Sequence, residues 1–260
     1  MDQGAQFEHQ DKIKDLVRFN SSQCTDASGL VSLKEYVQRM PEGQSEIYYL
    51  SGQSREAIES SPHLEMLKRK NVEVLYLLEP IDEFVLESLQ SYEDSSFVAA
   101  EHVRPENLES ISGEAEQASE DLSEDEQRDL DGLLKTMQDL LGDRVTEVRS
   151  SKRLHDSPAC LVNPDGAMSS QMQKIMHMVN KDESIPQKVL EINPQHQLTR
   201  NLLHIYTQEG GNDFIRKSTE QLFESALLLE GYLKDPHALV NRTFDLLQQS
   251  SGWYAESHQK

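Results

Sequence analysis

The sequence predicts an α+β chain: a small α/β unit built on a βαβ crossover, then a second mixed unit that ends in a helical hairpin. Three observations predict it. Two β-rich apolar runs, residues 47–50 (IYYL) and 72–78 (VEVLYLL), flank helical sequence. Residues 101–126 hold ten acidic residues against one arginine and divide the chain in two. Beyond them, large apolar residues recur at helical spacing, broken by brief β-rich runs.

In chain order, Ser32 and Glu35 stand at capping-box spacing ahead of an apolar face with Val37 and Met40, predicting a short helix over 32–40. The IYYL run ends in Ser51 and Gly52, and Ser54 then caps helical sequence that runs to Lys70. Ser61 and Pro62 interrupt it, with Pro62 suited to the first position of a second helix. Strand, helices and strand make a parallel pair joined by a right-handed crossover. Pro80 closes the second strand, residues 81–90 carry Ile81, Val85 and Leu89 on one helical face, and residues 96–100 suggest another strand.

These elements place a first domain at 10–100. The acidic stretch 101–122, poor in large apolar groups, is expected to be a mobile linker, because it buries too little surface to offset ordering. A second domain follows at 123–250. Ser123 and Glu126 form another capping box, opening a helix with Leu130, Leu133, Leu134, Met137, Leu140 and Leu141 at helical spacing and Gly142 as its stop. Residues 145–148, 159–162 and 189–192 read as short strands, and 168–180 and 195–206 as helices. A turn at Gly210, Gly211 and Asn212 leads to two last helices, 213–232 and 235–249, with 251–260 expected to fray.

Composition excludes several functions. A formal net charge of -21 argues against binding a phosphate backbone. No apolar run reaches the roughly 18–20 residues that span a bilayer, and the N-terminal sequence lacks a secretory signal, so neither nucleic acid nor membrane is an expected partner and the expected location is cytoplasmic. Cys24 and Cys160 belong to no metal-ligand or disulfide spacing. P-loop, GxGxxG, HExxH and GxSxG motifs are absent. His155 and Asp156 beside Ser157 are the most tempting catalytic cluster, but neighbours on extended chain point to opposite faces. Asp82 and Glu83 could form a carboxylate pair, though the exposed first turn of a helix suits their charge better. No catalytic residue and no metal ligand is assigned.

Two apolar surfaces remain. Over residues 168–179 (MSSQMQKIMHMV), Met168, Met172, Ile175, Met176 and Val179 fall on one narrow helical face. Methionine is flexible and polarisable, suiting an adaptable protein-binding surface; an ordinary core helix would show the same period. In the final hairpin, Leu222, Phe223, Ala226, Leu227 and Leu229 face Leu239, Val240, Phe244, Leu246 and Leu247 with more apolar surface than two helices bury alone. A second copy completing a four-helix bundle, or packing onto the preceding domain, would cover it.

Four segments together resemble the ninety-kilodalton heat-shock protein chaperones in their bacterial form. They are KIKDLVRF leading into VSLKEYVQRMPEGQSEIYYLSGQSRE; SPHLEMLKRKNVEVLYLLEPIDE; LLGDRVTEVRSSKRLHDSPACLV; and LEINPQHQL. The resemblance implies the end of that family's middle domain followed by its C-terminal dimerisation domain, with the ATPase domain lying upstream. This chain is then expected not to hydrolyse ATP and to hold no cofactor, ATP and magnesium belonging to the longer protein. The resemblance also implies roles. The helix matching 168–179 contacts partly unfolded client proteins. Part of the client surface maps to the helix after IDE, at Glu83, Phe84 and Glu87, where the bacterial pattern commonly has tryptophan in place of Phe84 and asparagine in place of Glu87. The hairpin residues Leu222, Phe223, Ala226, Leu227, Leu239, Val240, Phe244 and Leu247 correspond to the homodimer bundle. The sequence ends WYAESHQK and not in an EEVD-type tail, so tetratricopeptide co-chaperones are not expected partners. A small-molecule α/β enzyme, with its site beside the parallel strand pair, is the alternative.

Overall fold

The structure, a computed structural model, describes residues 13–26, 29–111, 122–164, 166–181 and 184–258. They fall into two compact units, 1–116 with 165–184, and 117–164 with 185–260.

The first unit contains β1 (Arg18–Ser21), β2 (Val31–Ser32), α1 (Leu33–Arg39), β3 (Glu46–Ser51), α2 (Arg55–Glu59), α3 (Glu65–Arg69), β4 (Val74–Leu77), α4 (Pro80–Leu89), β5 (Ser91–Tyr92), β6 (Ser95–Ala99) and α5 (Pro105–Leu108). The chain passes into the second unit with α6 (Glu124–Leu141), β7 (Val145–Ser150) and β8 (Ala159–Val162). It contributes α7 (Ser170–Asn180) to the first unit. The second unit closes with β9 (Lys188–Ile192), α8 (Gln197–Glu209), α9 (Asp213–Leu229) and α10 (His237–Ser257).

The first unit is a six-stranded sheet in the order β2-β1-β4-β3-β6-β5. The central strand β3 runs parallel to β4, Tyr49 opposite Leu75, and parallel to β6, Tyr49 opposite Ala99. Strands β1, β2 and β5, which the sequence reading did not assign, pair antiparallel at the edges. Both sheet faces are covered, so residues 47–50 of β3 and 74–77 of β4 are apolar or aromatic and buried at every position. Ile47, Tyr49, Leu75 and Leu77 point to one core with Leu33, Tyr36, Leu86 and Leu89. Tyr48, Leu50, Val74 and Tyr76 point to the other with Ile58, Leu64 and Leu67. The buried Tyr36 hydroxyl donates to the Glu73 carbonyl at 2.6 Å and accepts from the Tyr48 amide at 3.0 Å, tying α1 to both central strands.

Local signals act where the sequence placed them. Ser32 and Glu35 complete a capping box on α1, as Ser123 and Glu126 do on α6. Gly142 ends α6 at a positive φ of 54°, a conformation that costs a residue without Cβ little. Pro62 opens a helical turn, but of the 3-10 type over Pro62–Leu64.

Two boundaries need correction. Residues 101–111, read as the start of a mobile linker, hold the buried side chains Glu101, Val103, Leu108 and Ile111, and the last three join the second core of the first unit. Three apolar residues spaced over two short turns suffice to dock a segment whose average composition is acidic. The remainder of the expected linker, 112–121, lies outside the described residues. The expected frayed tail is instead helix as far as Ser257, and Phe214 meets Trp253 with ring centroids 4.9 Å apart.

The second unit has a three-stranded sheet, β7-β9-β8, with β7 parallel and β8 antiparallel to β9. Every residue of β9 is buried. Its Leu190 and Ile192 join Leu130, Leu133, Met137, Phe223 and Leu227 in one core. On the opposite face Val189 packs with Leu154, Cys160 and Val162. Glu191 is buried on that face because Arg149 and Arg153 pair with it at 2.9 and 3.1 Å and Ser151 donates to it at 2.9 Å.

Candidate functional site

Helix α7 is held to the first unit chiefly at its N-terminal turn. Ser169 caps it: its hydroxyl accepts from the Met172 amide at 3.1 Å and donates to a Glu83 carboxylate oxygen. Ser51 at the end of β3 donates to the other Glu83 oxygen at 3.0 Å. The next residue, Ser170, gives its backbone amide and its hydroxyl to the two oxygens of Glu101, at 2.7 and 2.5 Å. Two buried carboxylates thus anchor this turn: Glu101, just after β6, accepts the first backbone amide of a helix that has no earlier turn to bond it, and Glu83 on α4 accepts from the capping hydroxyl. Met172 is buried beneath this turn.

Glu83 therefore departs from its expected place on an exposed first turn. It is almost wholly buried, and the exposed cap of α4 is formed by Glu79 and Asp82 instead. Burial pushes the Glu83 carboxyl above the ordinary carboxylate range; the Ser169 and Ser51 hydrogen bonds oppose the shift, and the nearby Glu101 and Glu87 carboxylates add to it.

What the clamp leaves outside is apolar. Met168, Met176 and Val179 are exposed and Ile175 is half-buried, so of the five residues on the predicted face only Met172 points inward. Met178, off that face by period, is the most exposed methionine of the helix. On α4, Phe84 and Glu87 are exposed together with Ile81. The structure thus joins the two predicted segments, 168–179 and 83–87, through the Glu83–Ser169 hydrogen bond. The sequence reading missed Glu101, Ser169 and Ser170, whose roles arise from residues 69 and 86 positions apart and leave no local signature.

In the second unit the hairpin residues sort by depth. Leu222, Phe223, Ala226 and Leu227 of α9 are buried in the unit's own core, and Leu239 of α10 is buried too. Val240, Phe244 and Leu247 are exposed, joined by Leu228, Leu229, Trp253 and Tyr254. The two helices are zipped by polar pairs: Arg242 reaches Glu224 at 2.9 Å and Glu220 at 3.1 Å, and Gln221 donates to the Thr243 hydroxyl at 3.1 Å.

His155 and Asp156 do touch, Nδ1 to Oδ1 at 2.9 Å, contrary to the expectation of opposite faces; both side chains stand in solvent on a loop, where they make an exposed pair.

The Hsp90 protein family model matches residues 4–260. The chain belongs to the Hsp90 family. It is 51% identical over 249 residues to the chaperone protein HtpG of Oleidesulfovibrio alaskensis, a match covering 95% of this chain and 39% of that one. It is 47% identical over 250 residues to HtpG of Nitratidesulfovibrio vulgaris, covering 95% and 39%. HtpG of Geobacter sulfurreducens is 36% identical over 248 residues, covering 94% and 38%. This Hsp90-family chain spans well under half the length of these curated relatives. Neither the family match nor these relatives support a small-molecule α/β enzyme. Among the described residues, no helix is long and apolar enough to cross a membrane.

Proposed function

We propose that this chain is the client-contacting and dimerising part of an Hsp90-type chaperone. The observation that carries the reading is the exposed apolar surface of α7 and α4, Met168, Met176, Met178, Val179 and Phe84, on elements fixed to one another by the Glu83–Ser169 hydrogen bond. Flexible thioethers beside one aromatic ring accept apolar side chains of differing shape. Glu83 and Met172 hold the surface in place, and Glu87 lies at its exposed polar edge. Each contact with a partly unfolded client is weak, and two protomers add avidity.

Homodimerisation is assigned to the outward face of the hairpin, Leu229, Val240, Phe244 and Leu247; Leu222, Phe223, Ala226, Leu227 and Leu239 support it from within. ATP and magnesium belong, in this reading, to the longer protein. Among the described residues no three His, Cys, Asp or Glu side chains are grouped to hold a metal ion.

The test is binding of a fluorescent, unstructured Leu- and Phe-containing peptide. Phe84→Ser with Met176→Ser is expected to weaken it about tenfold, because two apolar side chains no longer meet the peptide; unchanged affinity would sink the reading. For the dimer, Phe244→Glu with Leu247→Glu should halve the mass seen by light scattering, and an unchanged mass would place the interface elsewhere.

A further inference from the structure

The methionines of this chain are unevenly distributed in depth. Among the seven described, Met137 and Met172 are buried and Met40 and Met66 half-buried. The three exposed ones, Met178 at 80%, Met168 at 55% and Met176 at 40%, all lie within eleven residues on or beside α7. Leucine would supply similar apolar area at each position. A thioether differs from it in one chemical respect, since its sulfur lone pairs are open to oxygen transfer.

We propose that Met168, Met176 and Met178 form a reversible oxidation site at which a peroxide converts an apolar face into a polar one. In each event a thioether sulfur attacks a peroxide oxygen. The S–O bond forms as the O–O bond breaks, the departing oxygen takes the proton of the transferred hydroxyl, and water leaves. Sulfur loses two electrons and the peroxide gains them. The product sulfoxide is a strong hydrogen-bond acceptor where an apolar surface stood, so water competes with any apolar partner. Reversal needs an external thiol reductant: two thiols return the thioether and yield one disulfide and one water, in a reaction that sulfoxide reductases catalyse.

The placement makes the change local. Met172, at 4% exposure, sits under the turn held by Glu83 and Glu101, and is shielded while that turn stays docked. The outward methionines make no such buried contribution, so their oxidation alters the surface and leaves the clamp intact. The effect on client contact rests on the function proposed above; the order of oxidation does not.

The experiment treats the whole chain with hydrogen peroxide and follows each methionine by peptide mass spectrometry, alongside affinity for the labelled Leu- and Phe-containing peptide. Met178, Met168 and Met176 are expected to gain oxygen before Met40 and Met66, with Met137 and Met172 protected until the chain is unfolded in urea. Peptide affinity is expected to fall about fivefold once the three are sulfoxides and to return with a thiol and a sulfoxide reductase. The variant Met168→Leu with Met176→Leu and Met178→Leu keeps Cys24 and should bind the peptide equally before and after peroxide. Equal oxidation rates for buried and exposed methionines would overturn the site. So would full affinity after all three have reacted, or an equal loss in the leucine variant. Should the untreated chain fail to bind the peptide, the client-contact reading falls, while the mass order still decides whether the three methionines are the oxidation site.

Discussion

Helix α7 and helix α9 carry similar apolar stripes and meet opposite fates. Of the five residues on the predicted 168–179 stripe, one is buried; of the five predicted on α9, Leu222, Phe223, Ala226 and Leu227 are buried and Leu229 is exposed. The difference lies in what each helix packs against. Helix α9 lies within the core formed by α6 and the β7-β9-β8 sheet, with α10 zipped to it by Arg242 and Thr243. Helix α7 is fixed at one end, through two serines and two carboxylates, and extends away from that anchor. A hydrophobic stripe shows which residues share a face, and the surroundings determine whether that face is covered.

This contrast can be broken by substitution. The largest effect is expected for Phe223→Ala, which opens a cavity in a closed core and should lower stability to urea by about 3–4 kcal/mol in the second unit. Met172→Ala removes the one inward methionine of α7. It should cost about 2 kcal/mol of docking, read as a roughly 30-fold faster amide exchange over 170–180, whereas Met178→Ser should leave exchange there within about twofold. Equal effects of the two would mean that α7 is not docked as described.

The clamp itself should respond to pH. Burial raises the Glu83 carboxyl, so the folded chain keeps a proton that the unfolded chain has released. Stability contributed by the protonated form is therefore complete below the ordinary carboxylate value and declines as pH rises through the raised one. Glu83→Gln mimics the protonated form and should flatten the melting temperature against pH across that window, with a slope equal to the parent's refuting the assignment. The smallest effect is that of Ser123→Ala, about 1 kcal/mol, from the lost cap on α6.

Much of the fold was legible because its signals are local. The parallel pair β3–β4 follows from two apolar runs with helical sequence between them, and the capping boxes at Ser32 and Ser123 and the stop at Gly142 are written in a few consecutive residues. The edge strands were missed because two- to four-residue segments such as Ser91–Tyr92 carry no period to detect. The helix through Ser250, Ser251 and Gly252 was missed because those residues disfavour helix, yet Ser251 bonds back to the Gln248 carbonyl at 2.9 Å and Trp253 beyond them meets Phe214.

The sequence by itself determined the order of the longer helices and of the central strands, the stripes at 168–179 and 222–247, and membership of a chaperone family through long collinear segments. Tertiary structure alone decided that Glu83 is a buried anchor and not an exposed first-turn charge, that residues 101–111 belong to a core, and that Met168, Met176 and Met178 face outward while Met172 does not. The physical reason is that period and capping depend on neighbours along the chain. Burial depends on which distant surface arrives, and Ser169 and Ser170 reach Glu83 and Glu101 only once the chain has folded back on the first unit.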